Sequence, residues 1–246
     1  MRTHQKAIST AVTGDMLVGA SPAADFARPI VNIGSSDLNC MTVASKKTYK
    51  IVFVTGTRAD FGKLEPLIIK ARDCGFDVSI FITGMHLLED YGLTKIEVRR
   101  LEGVSFFEFN NEAASQNQEL VLSRTVCGFS NYIDKIKPDL VMVHGDRIEA
   151  MSCAIVCATN YVLCGHIEGG EVSGTIDEAL RHCNTKLAHH HFVSSVSAGE
   201  RVKRLGESTG SIHVIGSPEL DYHQRPSGVT ICDVKKKYEI DFDEFG

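Results

Sequence analysis

Seven short apolar runs occur in the sequence from residue 49 onward, and longer amphipathic segments separate them. Each run is apolar along nearly its whole length, which indicates strands that are buried on both faces. Such strands are typical of a parallel sheet that helices cover on both sides. The predicted strands are residues 49–55, 77–83, 104–109, 139–144, 161–167, 190–194 and 211–215.

The segments between the runs have the spacing of apolar residues that is typical of helices. A strand followed by a helix, repeated along the chain, predicts an α/β domain with a Rossmann-like, doubly wound parallel sheet. Ligands of such sheets bind beyond the carboxyl ends of the strands, so the polar residues that follow each strand are the first site candidates. The predicted helices are residues 63–74, 118–135, 148–159, 176–187 and 198–205.

The composition agrees with a folded domain and excludes several classes of protein. Of the 246 residues, 43% are hydrophobic and 23% are charged, unlike a disordered or collagenous chain. Lys and Arg total 26 against 31 Asp and Glu, and a net charge of −5 argues against a general nucleic-acid binder. No apolar stretch approaches the roughly 18 residues of a membrane span. We therefore predict no nucleic-acid partner and no membrane partner.

The eight cysteines lie among apolar neighbours and lack the regular spacing of a small secreted disulfide scaffold. We interpret them as reduced thiols in a protein core. This interpretation favours a cytoplasmic location.

The two ends of the chain differ from its middle. Residues 1–48 show no sustained helical or strand period, so we expect a disordered extension there. The Rossmann-like domain is predicted over residues 49–225. The polar segment 226–246 is expected to be a linker or the start of a truncated second domain.

The turn after the first predicted strand contains the components of an anion-binding loop. Residues 55–63 (TGTRADFGK) combine a glycine-permitted turn, the start of a helix and the cations Arg58 and Lys63. The glycine spacing is one residue longer than that of a P-loop, and Leu64 stands where a P-loop has Ser or Thr. The alternative interpretation is an ordinary strand-to-helix turn with solvated charges.

Carboxylates directly follow two further predicted strands. Asp146, with Arg147 beside it, comes after the fourth strand, and Glu168 comes after the fifth. Burial and neighbouring charges at such positions are expected to shift carboxylate pKa values towards the range that suits proton transfer. Gly169 and Gly170 would let the backbone approach a ligand closely. We therefore predict an acid/base site at this edge of the sheet.

A further carboxylate, Asp177, opens the helix predicted at residues 176–187. Thr175 precedes this helix as a possible N-cap, and the helix dipole favours acidic residues in the first turn. Helix capping alone could explain Asp177. It does not explain the carboxylates that follow two separate strands.

Four histidines, His182 and residues 189–191, cluster in the sequence and raise the question of a metal site. Successive side chains of a strand face opposite ways, and no metal-binding motif accompanies these histidines. The cysteines at 153 and 157 lie one helical turn apart on an apolar helix, which favours core packing over metal ligation. We predict no metal site.

Several of these motifs together resemble one enzyme family. The segment 166–177 (HIEGGEVSGTID), the turn 145–147 (GDR) and the loop 55–67 are similar to the hydrolysing UDP-N-acetylglucosamine 2-epimerases, which start sialic acid synthesis. The similarity extends from about residue 49 to 221. Relatives that act on other N-acetylated nucleotide sugars in bacterial nonulosonate pathways share these motifs, so the exact sugar stays open.

The resemblance implies a two-domain fold of the GT-B type, of which this chain holds the N-terminal domain. It also implies a nucleotide-sugar substrate, no cofactor and a homo-oligomer. By position it assigns the catalytic residues to Asp146, Glu168, Asp177 and Arg147. The substrate-binding residues are then Arg58, Asp60 and Lys63, together with Gly169 and Gly170.

The reaction that the resemblance implies begins with loss of the proton on sugar carbon 2 and elimination of UDP to give a glycal. Water then adds with inversion at carbon 2, and N-acetylmannosamine is released. Family members continue far beyond the matched segment, so we expect the 246-residue chain by itself to turn over substrate poorly or not at all. The alternatives are a GT-B-type glycosyltransferase and a non-catalytic nucleotide-sugar-binding fragment.

Overall fold

The computed structural model describes residues 48–112, 117–223 and 228–239. The strands of the described part are β1 (Lys50–Thr55), β2 (Asp77–Ile82), β3 (Ser105–Glu108), β4 (Leu140–His144), β5 (Leu163–Ile167), β6 (His190–Val193) and β7 (Ile212–Val214). They form one seven-stranded sheet in the order β3-β2-β1-β4-β5-β6-β7. Every neighbouring pair is parallel.

The helices of the described part are α1 (Arg58–Asp73), α2 (Lys95–Val98), α3 (Gln118–Ile136), α4 (Ile148–Thr159), α5 (Ile176–Leu187), α6 (Val196–Arg204), α7 (Glu219–His223) and α8 (Ile231–Tyr238). Short 3-10 turns lie at Gly84–Leu87, Glu89–Tyr91 and Thr209–Ser211. Within the described ranges, none of the helices has both the length and the hydropathy that a bilayer crossing requires.

Helices cover both faces of the sheet and complete two cores. On one face, Leu64 of α1 belongs to the same buried cluster as Phe53 of β1. On the other face, Phe129 of α3 belongs to the same cluster as Val52 of β1. Because alternate residues of a strand face opposite sides, β1 contributes to both cores. This arrangement confirms the predicted Rossmann-like, doubly wound α/β fold.

All seven predicted strands are confirmed, with bounds that differ by a few residues at their ends. The prediction for the first helix was wrong at its start, because α1 begins at Arg58 and not at residue 63. The Thr57 hydroxyl accepts from the Asp60 backbone N–H at 3.2 Å, and the Asp60 carboxylate accepts from the Thr57 N–H at 3.1 Å. This capping box satisfies two backbone N–H groups, so the helix begins before the predicted start. Lys63 therefore lies on α1 rather than in a loop.

The predictions for the two ends of the chain fall largely outside the described part. Residues 1–47 and 240–246 are not among the described residues, so the extension at 1–48 stays a prediction. Helix α8 lies inside the segment 226–246 that was predicted as a linker or the start of a second domain.

Candidate active site

The candidate site lies where β1, β4 and β5 end, at the carboxyl edge of the sheet. β1 and β4 are neighbours at the point where the strand order reverses, and β5 pairs with β4. The carboxyl edge at such a reversal is where doubly wound sheets bind ligands. Charged side chains from the segments that contain these strand ends meet there, although they are distant in sequence.

Four charged side chains form one hydrogen-bonded row, which we call the charged row: Lys63, Glu168, His144 and Asp60. Lys63 Nζ donates to Glu168 Oε2 at 2.7 Å. His144 Nε2 lies 3.2 Å from Glu168 Oε2, and His144 Nδ1 lies 3.3 Å from Asp60 Oδ1. When His144 is protonated, positive and negative charges alternate along the row. The three members other than Lys63 are buried.

Asp60 fastens the row to the start of α1. Its Oδ2 accepts from the backbone N–H groups of Gly56 at 3.3 Å and Thr57 at 3.1 Å. The other oxygen faces His144. The contacts of Asp60 are therefore those of a helix cap and of the charged row, and its predicted contact with a nucleotide sugar stays a prediction.

His144 is charged at neutral pH. Burial alone would lower the pKa of His144, but its hydrogen bonds to Asp60 and Glu168, and the charges of both carboxylates, raise the pKa to about 9. Burial would likewise raise the pKa of Asp60, and the bond and charge of His144 outweigh this effect and lower it. Both ring nitrogens of His144 therefore donate, one to each carboxylate.

The pKa of Glu168 moves in the direction opposite to the sequence-based expectation. Burial would raise the pKa of Glu168, but the hydrogen bonds and charges of His144 and Lys63 lower it to about 2. The prediction that the pKa of this carboxylate shifts towards the proton-transfer range was therefore wrong while the charged row is intact. The expectation named burial and neighbouring charges, but the sequence could not show that the neighbours of Glu168 are two cations from other parts of the chain.

Glu168 also has an uncommon backbone conformation, with φ at 61°. A left-handed conformation costs a residue with a Cβ about 1–2 kcal/mol, and such strain concentrates at functional sites. The Glu168 backbone N–H donates to the Phe192 carbonyl of β6 at 2.9 Å, which helps to hold the turn. The strain adds to the case that the carboxylate is positioned for function.

The two predicted residues that follow β4 each pair with a residue of opposite charge. Arg147 donates to Glu149 through Nε at 3.1 Å and through Nη2 at 3.2 Å. Asp146 accepts from Arg181 of α5. Both Asp146 and Arg147 are partly exposed, so they remain accessible at the carboxyl edge of the sheet.

The buried Gly169 and Gly170 pack against the protein itself. A Cβ at Gly170, where φ is +79°, would lie 2.2 Å from the Ala198 carbonyl oxygen of α6. Arg201 of α6 donates to the Gly170 carbonyl at 2.7 Å. A Cβ at Gly169 would lie 3.0 Å from the His166 ring. Close packing therefore explains why glycine is needed here, and contact with substrate stays a prediction.

We expect Gly170→Ala to lower the free energy of unfolding by about 2–5 kcal/mol, from left-handed strain and from collision with the backbone of α6. Gly174→Ala is the matched control, because Gly174 has φ +69° and nothing within 4 Å of the added Cβ. This control should show only the strain, about 1–2 kcal/mol. Urea unfolding of both variants measures the difference, and equal losses would contradict the packing explanation.

Two predicted residues lie apart from the charged row. Asp177 is exposed at the start of α5, and its carboxylate accepts from the Thr175 hydroxyl at 3.1 Å. Arg58 is exposed at the start of α1 and pairs with Glu97 at 3.4 Å. Among the described residues, neither makes a hydrogen bond or an ion pair with the charged row, and their roles in binding or catalysis stay predictions.

Comparison with known proteins shows which family the chain belongs to. The family model described as UDP-N-acetylglucosamine 2-epimerase matches residues 69–242, well over half of the chain. The chain belongs to the UDP-N-acetylglucosamine 2-epimerase family. Two of the charged-row residues, His144 and Glu168, lie within the matched segment.

Two curated relatives illustrate the range of the family. The UDP-N-acetylglucosamine 2-epimerase of Neisseria meningitidis is 39% identical over 198 residues, which are 80% of this chain and 52% of the relative. The hydrolysing UDP-N,N'-diacetylbacillosamine 2-epimerase of Legionella pneumophila is 33% identical over 200 residues, 79% of this chain and 53% of the relative. The chain thus spans about half the length of the curated relatives it matches.

Solved structures of epimerases share the fold. A UDP-N-acetylglucosamine 2-epimerase crystal structure aligns with a TM-score of 0.66 at 22% identity, covering 75% of this chain and 53% of that one. The Neisseria meningitidis epimerase bound to UDP-N-acetylglucosamine aligns with a TM-score of 0.62 at 20% identity, covering 80% and 51%. These matches confirm that the sheet corresponds to one half, the N-terminal domain, of a GT-B-type epimerase.

Two histidines that build the candidate site were not predicted from the sequence. His144 is the last residue of β4, and a histidine buried beside a candidate carboxylate was a usable signal. His166 is buried with Nε2 2.8 Å from the Gly145 carbonyl and Nδ1 3.1 Å from the Thr185 hydroxyl. Burial lowers the pKa of His166 to about 3, so this histidine is neutral and helps to hold the turn before Asp146.

Proposed function

We propose that the protein is a hydrolysing UDP-N-acetylglucosamine 2-epimerase, which converts its nucleotide sugar and water into N-acetylmannosamine and UDP. The observation that carries the proposal is the charged row at the carboxyl edge of the sheet, in a chain of the epimerase family. The row combines an ionised carboxylate after a buried strand with a cation near the surface. A hydrolysing relative supports the hydrolytic outcome.

The proposed reaction has two stages that balance. A carboxylate takes the proton from sugar carbon 2, the bond between carbon 1 and the UDP oxygen breaks, and a glycal forms. Water then gives its hydroxyl to carbon 1, while a proton adds to carbon 2 on the opposite face. General acid/base groups and cations lower both barriers, because charge develops on the sugar and on the departing diphosphate.

The residues after β4 and β5 supply the proton-transfer groups in this proposal. We assign acid/base work to Asp146 and Glu168 as a pair, without separating the base from the acid, and include Asp177 by its family position. Lys63, Arg147 and Arg58 are the cations for the diphosphate. Ionised groups held in place in a partly buried site stabilise developing charge more strongly than groups in water.

Substrate binding would also raise the pKa of Glu168. Lys63 is partly exposed and donates to Glu168 at 2.7 Å. A phosphate oxygen that draws Lys63 away would remove one of the two cations that lower the pKa of Glu168 to about 2. The pKa of Glu168 would then rise towards the range that suits a general base. In this proposal the diphosphate both anchors the sugar and activates the carboxylate.

Partners and location complete the proposal. We propose a homo-oligomer, as the resemblance to the hydrolysing epimerases implies. We also propose a cytoplasmic location, since the seven cysteines of the described ranges are free, as expected in a reducing compartment.

We expect free UDP and N-acetylmannosamine in equal amounts when UDP-N-acetylglucosamine is supplied without an acceptor. The assay compares the 246-residue chain with a fusion of this chain to the C-terminal half of the Neisseria meningitidis relative. The fusion is expected to turn over at about 1 per second or faster, and the chain by itself far more slowly, because the cleft between two halves positions the substrate.

Three results would contradict parts of this proposal. UDP release that requires an added sugar acceptor would indicate glycosyl transfer. Formation of UDP-N-acetylmannosamine without free UDP would indicate a non-hydrolysing epimerase. Ordinary turnover by the 246-residue chain without the fused half would contradict the need for a second half.

A further inference from the structure

Glu149 is a buried carboxylate that the proposed mechanism does not use. It lies in the first turn of α4, and only 5% of its side chain is exposed. Both of its oxygens accept from Arg147, one from Nε at 3.1 Å and one from Nη2 at 3.2 Å. Buried carboxylates need such partners, and a two-bond pair with arginine also fixes the guanidinium plane.

The backbone that follows β1 and β2 packs closely against the Glu149 carboxylate. A Cβ at Gly84, after β2, would lie 2.5 Å from Glu149 Oε1 and 2.9 Å from the Gly56 carbonyl oxygen. A Cβ at Gly56, after β1, would lie 3.4 Å from Glu149 Cδ. The ends of β1 and β2 therefore leave the Glu149 side chain little freedom to turn away from Arg147.

One edge of the Arg147 guanidinium is hydrogen-bonded, and the other edge is available to a ligand. The edge formed by Nε and Nη2 faces Glu149, and within the described ranges no residue accepts a hydrogen bond from Nη1. The side chain is 30% exposed, so solvent and ligands can reach it. Its charge also contributes to the lowered pKa of Asp60, a member of the charged row.

We propose that Glu149 is a positioning residue, which holds Arg147 so that the Nη1 edge of its guanidinium faces a phosphate oxygen of the nucleotide sugar. This inference rests on the proposed function. A purely structural role is the alternative, since an acidic residue in the first turn favours helix formation through the dipole. The two roles differ in one respect, because the positioning role acts only through Arg147.

The test is a double-mutant cycle in the fusion enzyme, with Glu149→Gln, Arg147→Met and both changes together. We expect Glu149→Gln to lower kcat/KM for UDP-N-acetylglucosamine by about 10- to 100-fold, because a misplaced binding group can cost that much. The dissociation constant of UDP, measured by calorimetry, should rise about tenfold. In the Arg147→Met background, Glu149→Gln should change either value by less than about twofold.

Glu119→Gln is the matched control, because Glu119 occupies the same first-turn position in α3 but is exposed. It should leave kcat/KM and UDP affinity unchanged. If Glu149→Gln does not fold, Glu149→Asp keeps the charge with a shorter reach and should show a smaller loss that also vanishes in the Arg147→Met background.

Two outcomes would overturn the positioning role while the proposed function stands. One is an active wild type with an equally active Glu149→Gln variant. The other is a loss from Glu149→Gln that persists in full when Arg147 is methionine. A wild-type fusion that folds but neither binds UDP nor releases it would overturn the proposed function and this inference together.

Discussion

Replacement of Glu168 by glutamine in the fusion enzyme is expected to lower turnover of UDP-N-acetylglucosamine by a factor on the order of 100 to 10,000. Glutamine keeps the shape of the side chain but removes its charge and most of its ability to accept a proton. Asp146→Asn should have an effect of the same order for the same reason. Initial rates of UDP release at saturating substrate measure both variants.

The structure also predicts a stability effect for Glu168→Gln, because Glu168 accepts from both Lys63 and His144. We expect a loss of about 1–3 kcal/mol, since a buried donor then loses a charged acceptor. Rates are therefore compared at a temperature where urea titration shows both proteins folded. Glu200→Gln, on the exposed surface of α6, is the control for the amide substitution. Near-normal turnover in folded Glu168→Gln and Asp146→Asn would exclude the assigned acid/base role.

Replacement of His144 by glutamine is expected to lower the free energy of unfolding by roughly 3 kcal/mol near pH 6.5. The neighbouring carboxylates raise the pKa of His144 to about 9 in the folded protein, above its ordinary value of 6.5. A raised pKa adds stability that is complete below about pH 6.5 and is lost as pH rises towards about 9. Wild-type stability should therefore fall across this interval, and the variant should lack that fall.

Urea unfolding between pH 6 and pH 9 measures this contribution. His182→Gln is the matched control, because His182 is partly exposed on α5 and should leave the alkaline loss of stability unchanged. The buried His166 has a lowered pKa, so it affects stability below about pH 6.5 and not over the alkaline fall between about pH 6.5 and pH 9. The same alkaline slope in wild type and His144→Gln would show that His144 is not held as a cation.

The sheet, and the edge of it that carries the candidate site, could be predicted from the sequence. Both depend on the local pattern of apolar and charged residues. Continuous apolar runs predict buried parallel strands, and a carboxylate directly after such a run lies at the ligand edge whatever the strand order. Asp146 and Glu168 were identified in this way. The start of α1 was missed, although Thr57 and Asp60 have the spacing of a capping box.

The pairings within the site depend on strand order, which local pattern does not determine. Lys63 and Glu168 are 105 residues apart and meet because α1 follows β1, while β1 adjoins β4 and β4 adjoins β5. The direction of the Glu168 pKa shift depended on that pairing and was therefore predicted wrongly. Glu149 was also missed because its surroundings depend on strand order. The backbone that follows β1 and β2 packs against its side chain.

The proposed function requires proton removal at sugar carbon 2, elimination of UDP and then addition of water. The most direct measurement incubates the fusion enzyme with UDP-N-acetylglucosamine in heavy water and follows the products by proton NMR. We expect N-acetylmannosamine with deuterium at carbon 2, formed together with an equal amount of UDP. Product that retains the original hydrogen at carbon 2 would contradict it.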